Sequence, residues 1–160
     1  MQKYIWGLLR IGMGWIFLWS FMDKLWGLGF STTSESAWLA GGSPTAGFLQ
    51  FGTKGPFAEI FQSIANSGLV EWLFMLGLLF IGIAFLFGIG MRLAGWSGAI
   101  MLALMYLAGF IPPEHNPFFD EHLIQLLVML GLIYSNSGRW LGFGTAWENS
   151  SFVRKFPVWK

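Results

Sequence analysis

The sequence predicts an all-α integral membrane protein: a four-helix up-down bundle with a long outer loop of short amphipathic helices. Three observations lead there. First, the 160 residues are 55% hydrophobic and only 11% charged, with a mean hydropathy of +0.60. A soluble domain carries about 25% charged residues, so there is too little polar material here to coat a globule. Second, residues 72–91 and 93–113 contain no charge, and a spanning helix needs roughly 20 mostly apolar residues. Third, the basic residues sort to one side of the expected spans. A net charge of +1 and no cysteine exclude a nucleic-acid binder, a disulfide scaffold, thiolate metal sites and CxxC redox chemistry within the chain.

The first span is expected at 4–26. Lys3 and Arg10 imitate the positive start of a signal peptide, but no small-x-small cleavage site precedes Asp23, so the segment is read as a retained helix. Arg10 lies near the start and is expected to snorkel to the head groups. An outer lid follows at 27–68. Ser34 is expected to cap a short helix ending at Gly41 and Gly42. Ser43 with Pro44 reads as a second helix start, and Pro56 as a third, with Phe57, Ile60, Phe61 and Ile64 at helical spacing. The lid is expected to lie over the outer mouth of the bundle, with a docking surface for another subunit as the alternative.

The second and third spans are expected at 69–90 and 93–111, antiparallel across the short Gly88–Gly90–Arg92 turn. The fourth is expected at 120–137. Small residues offer close packing: Gly7 and Gly14, Gly77 and Gly82, then Gly95, Ala99 and Ala103. The tail, 138–160, mixes Trp140, Phe143, Trp147, Phe152, Phe156 and Trp159 with Arg154, Lys155 and Lys160, and reads as lying on an anionic leaflet. Trp6, Trp96 and Trp140 fall at one membrane edge and Trp19, Trp26, Trp38 and Trp72 at the other, as an anchoring belt.

With this layout Lys3, Arg10, Arg92, Arg139, Arg154, Lys155 and Lys160 share one side, and only Lys24 and Lys54 lie opposite. The positive-inside rule then makes both termini cytoplasmic in a cell membrane. The acids Asp23, Glu35, Glu59, Glu71, Glu114, Asp120 and Glu121 gather outside, leaving Glu148 inside.

The outer end therefore concentrates the groups able to do chemistry. Lys24 is expected to pair with Asp120 or Glu71, since polar groups at membrane depth face the interior and each other. Asp120 can cap the fourth helix, and Glu121 suits its positive end. His122, Gln125 and Met129 share a helical stripe. A His122–Gln125 pair could hydrogen-bond the carbonyls of a quinone head group, and histidine exchanges protons near neutral pH. The alternative is a structural His122 satisfied by Asp120. The candidate catalytic residues are thus His122, Asp120 and Lys24, and the candidate ligand-binding residues Asp23, Lys24, Glu71, His122 and Gln125. Asp120, His122, His115 and Glu114 could ligate a metal, but neither HExxH nor Glu-x-x-His occurs, so no metal is expected. Haem between opposed histidines is also not expected.

The run from Leu9 to Leu18 with Phe21-Met22-Asp23-Lys24-Leu25 resembles the first-helix signature of the DoxX/DoxD family. So do Trp38-Leu39-Ala40-Gly41-Gly42-Ser43-Pro44-Thr45 with Gly47-Phe48-Leu49, and Asn116-Pro117-Phe118-Phe119-Asp120-Glu121-His122. The resemblance covers nearly the whole chain. It implies a small four-helix membrane protein, with Arg10, Asp23, Lys24, Asp120 and His122 at matching polar positions. It also implies the membrane subunit of a quinone-linked oxidoreductase of the thiosulfate:quinone type, working with a second small subunit. Quinone is then the substrate, and no covalently bound cofactor is expected. The competing expectation is a non-catalytic structural or assembly subunit of a larger membrane complex, or a homo-oligomer. A transporter fits least, for lack of broken helices and repeats.

Overall fold

Helix α1, Gln2–Trp26, is the longest element of the computed structural model, which describes residues 1–109 and 117–159. Its apolar stripe places Met13, Phe17 and Phe21 in the core at four-residue intervals. It stops at Gly27, whose φ of 67° favours glycine, whose missing Cβ would fall 2.5 Å from the Thr33 carbonyl oxygen, and whose N–H bonds the Asp23 carbonyl. The lid comes next: 3-10 turns at Ser34–Ser36 and Trp38–Ala40, helix α2 at Pro44–Gly47 running into a wide turn at Phe48–Gly52, and helix α3 at Ala58–Ser63. Then come α4, Gly68–Phe87, and α5, Met91–Gly109, joined by a turn with positive φ at Gly88 and Gly90. Helix α6 is Glu121–Tyr134. The tail holds a 3-10 turn at Ser137–Arg139, helix α7 at Gly144–Glu148, helix α8 at Ser151–Lys155 and a last turn at Pro157–Trp159.

The described residues are all-helical, and α1, α4 and α5 are long and apolar enough to cross a membrane. All of them hold large apolar side chains outward, such as Leu8, Trp15, Leu73, Phe80, Ile100 and Leu104. Water would penalise that surface and lipid would not. Helix α1 packs along α4, α4 along α5, and α5 along α6. The core is Met13 and Phe17 from α1, Met75, Leu78, Ile81 and Phe85 from α4, Leu102 from α5, and Met129 and Leu132 from α6.

Small residues set the spacing, as expected. A Cβ on Gly14 would fall 2.5 Å from the Leu86 nitrogen, and one on Gly82 2.7 Å from the Leu18 nitrogen, so α1 and α4 touch backbone to backbone. Gly95 and Gly98 of α5 receive Ile133 and Met129 of α6; Gly98 was not among the expected packing positions.

Four expectations need correction. The fourth helix ends at Tyr134 rather than 137, because Asn136 takes the left-handed conformation, φ 53°. Its 14 residues rise only about 21 Å, short of a hydrocarbon core of about 30 Å. Ser34 does not cap a helix reaching Gly41; Thr33 precedes two separate 3-10 turns, interrupted by the extended Ala37. Helix α3 begins at Ala58, since Phe57 is still in turn geometry. Finally, the tail does not merely lie flat. Val153 is buried, Trp159 packs against α5, and the Phe143 N–H bonds the Phe87 carbonyl at 2.8 Å. The end of the 93–111 span, with Glu114 and His115, lies outside the described residues.

Candidate functional site

The helices define two ends. The lid end carries the 27–67 segment and the start of α4; the tail end carries the α4–α5 turn and residues 135–159.

At the lid end the acids are held by local partners. Asp23, 1% exposed, accepts from the Phe30 and Ser31 N–H groups at 3.1 and 2.8 Å and from the Ser31 hydroxyl at 2.7 Å. It thereby closes the chain reversal after α1, an Asx-type role. Lys24 donates to the same Ser31 hydroxyl at 3.3 Å. Among the described residues the expected Lys24 pair with Asp120 or Glu71 does not form; the ammonium bonds Ser31, seven residues along its own chain segment, instead. Glu71, on the first turn of α4, accepts from the Ser43 hydroxyl, while Ser43 also caps α2 by accepting from the Ala46 N–H. The expected Ser43–Pro44 helix start is therefore present.

Asp120 caps α6 through the Leu123 N–H at 2.9 Å, and its other oxygen meets His122 Nδ1 at 2.6 Å. With the carboxylate on Nδ1, the Nε2 position of a neutral imidazole is the proton acceptor. The chain thus brings Asp120 and His122 together, and Asp23 with Lys24 at Ser31. Among the described residues no hydrogen bond joins these groups to one another, to Glu71 or to Gln125, which is half-buried one turn along α6. The described residues contain no cluster of three or more histidine and carboxylate side chains able to hold a metal ion.

A feature that sequence reasoning missed is a groove between α4 and α5, with a volume of about 930 Å³. Apart from Ser97, its walls are apolar: Phe74, Gly77, Phe80 and Ile81 of α4 and Ala94, Met101 and Met105 of α5. It runs from the lid, where Thr45, Phe48 and Phe61 overhang it, to the tail, where Trp147 and Trp159 close it. Thr45 is buried and its hydroxyl has no partner among the described residues; the same holds for Glu71 Oε1. Such groups cost free energy until something bonds them. Lys24, Asp120 and His122 do not line this groove. Small residues at Gly77, Ala94 and Ser97 were the available signal, but they read equally well as helix packing.

The tail end is organised by Arg10, which is fully buried rather than snorkelling. Its Nε donates to the Ser137 carbonyl at 3.2 Å, and its terminal nitrogens to the carbonyls of Phe85, Leu86, Trp140 and Leu141. The carbonyls at the end of α4 carry its negative dipole. A fork of fixed donors inside the protein satisfies these acceptors, which a guanidinium turned outward to a lipid phosphate would leave without those donors. Nearby, Arg139 grips Glu148 with two nitrogens, at 2.6 to 3.2 Å. That bonding holds the Arg139 guanidinium above its ordinary pKa. Lys3 stands over the Trp140 ring at 4.6 Å.

Comparison with family profiles, curated proteins and solved structures finds no match to this chain.

Proposed function

We propose that this chain is the membrane subunit of a quinone-linked oxidoreductase of the thiosulfate:quinone kind. In this reading it is a four-helix up-down bundle in a cell membrane, with termini and tail cytoplasmic and the lid outside. The basic side chains gathered at the tail end support that orientation. The observation that carries the functional reading is the α4–α5 groove. It suits one prenyl chain inserted lengthwise. Thr45 lines its lid end, and its buried, unpartnered hydroxyl would become a donor to a quinone carbonyl once a side-chain turn uncovers it. Lid and tail overhang both ends, which favours a flexible chain over a partner helix, whose backbone would have to leave the groove on both sides.

Reducing a quinone takes up protons as well as electrons. His122, held by Asp120, lies outside the groove, so in this reading it passes protons at the lid end through intervening water rather than by contact with the ring. With no cysteine in the chain, electrons come directly from the substrate or from a second subunit.

The test is binding of a short-chain prenylated quinone to the purified chain, read by thermal unfolding. Ser97 is exposed to the groove, so Ser97→Phe fills it without disturbing the core. Wild type is expected to gain stability with the quinone and Ser97→Phe to gain little. Equal gains in both would reject the groove. A separate expectation concerns His122→Ala. Because His122 does not line the groove, quinone binding should be unchanged in this variant while quinone reduction in the reconstituted complex falls; an unchanged rate would remove the proton role from His122.

A further inference from the structure

At the tail end, on the far side of the helices from Thr45, a second cavity of about 170 Å³ lies in the corner between the α4–α5 turn and the tail. We infer that it binds a phosphate group, and specifically the head group of an anionic phospholipid.

The charges around it are unbalanced. Arg92 lines it from the first turn of α5, and no carboxylate among the described residues pairs with it. A cation at a helix N-terminus opposes the dipole, unless an anion sits between the two. The positive end of the α5 dipole favours the same anion. Arg139 lines the opposite wall. Its Nε and one terminal nitrogen are taken by Glu148, and the other terminal nitrogen has no hydrogen-bond partner among the described residues. Behind the Gly88 wall stands the buried Arg10 guanidinium: a Cβ on Gly88 would lie 3.2 Å from its Cζ. Three guanidinium groups therefore face or back the cavity, against the single carboxylate of Glu148. Arginine forks match paired oxygens, which excludes a halide, and a phosphate has enough oxygens to meet Arg92 and Arg139 from both sides at once.

The surroundings select a lipid over free phosphate. Trp147 lines this cavity and also closes the α4–α5 groove, so apolar surface begins where the polar wall ends. A phosphodiester held by Arg92 could lay the first methylenes of its chains against that surface. Basic pockets at the cytoplasmic edge of membrane helices meet anionic head groups in this way.

The experiment is thermal unfolding of the full chain in a neutral detergent, with dihexanoyl phosphatidylglycerol, dihexanoyl phosphatidylcholine or inorganic phosphate added. Saturating phosphatidylglycerol should raise the melting temperature of wild type by roughly 3 °C or more, and phosphatidylcholine should not. Arg92→Gln, at an exposed side chain with no ion pair among the described residues, should lose at least half of the rise. Arg154→Gln, on the exposed face of α8, should keep it. Inorganic phosphate matching phosphatidylglycerol would uphold a phosphate site but overturn its assignment to lipid. An equal rise in Arg92→Gln, or an equal rise with phosphatidylcholine, would overturn the site.

Discussion

Replacing Arg10 by methionine should detach the tail from the helices and cost on the order of 3–5 kcal/mol. Methionine keeps the apolar bulk and removes every donor. Five carbonyls, those of Phe85, Leu86, Ser137, Trp140 and Leu141, then lose the guanidinium in a buried or partly buried site, although that of Ser137 keeps the Trp140 N–H at 3.1 Å. Each stranded acceptor costs about 1–3 kcal/mol unless water reaches it. Water reaches these by prising residues 137–141 away from the end of α4. The loss is therefore expected in two readouts: a lower melting temperature in detergent, and rapid protease trimming of the tail that wild type resists. Arg10→Lys should recover part of the stability, since a single ammonium offers three donors where the planar fork bridges two segments. A tail still protected in Arg10→Met would show that Phe143, Trp159 and Val153 hold it alone.

Helix contact gives the second large effect. Gly82→Leu should separate α1 from α4 and leave little folded protein. The Cβ alone already meets Leu18 backbone atoms at 2.7 and 2.9 Å. Backbone cannot turn aside as a flexible side chain can, so even Gly82→Ala should cost about 1–3 kcal/mol. Gly12 provides the control. Nothing lies within 4 Å of its would-be Cβ, and Gly12→Ala should stabilise the helix by about 0.5–1 kcal/mol. Equal behaviour of Gly12→Ala and Gly82→Ala in thermal unfolding would contradict the α1–α4 geometry.

The long helices were legible because their evidence is local. A charge-free run of the right length leaves α4 and α5 little alternative, and Asp120 announces the start of α6 by its own side chain. Arg10 was not legible. A cation near a membrane edge has two solutions, outward to head groups or inward to carbonyls. Here the choice is made by Ser137, Trp140 and Leu141, up to 131 positions away. Glu71 is similar. Its acidity was readable, but its tie to Ser43 depends on where the lid folds back. The expected meeting of Lys24 with Asp120 assumed that charges at one end seek each other. Short polar loops intervene instead, and Ser31 serves both Asp23 and Lys24 at far smaller chain distance. The groove eluded sequence reasoning because it is a property of two facing surfaces, and no single residue marks it.

An experimental structure with a short-chain prenylated quinone bound would test the functional account most directly. The account places the ring within hydrogen-bond distance of the Thr45 hydroxyl and the chain between α4 and α5, past Ser97. A ring lodged instead between α1, α4 and α6 beside His122, with lipid alone in the α4–α5 groove, would contradict it.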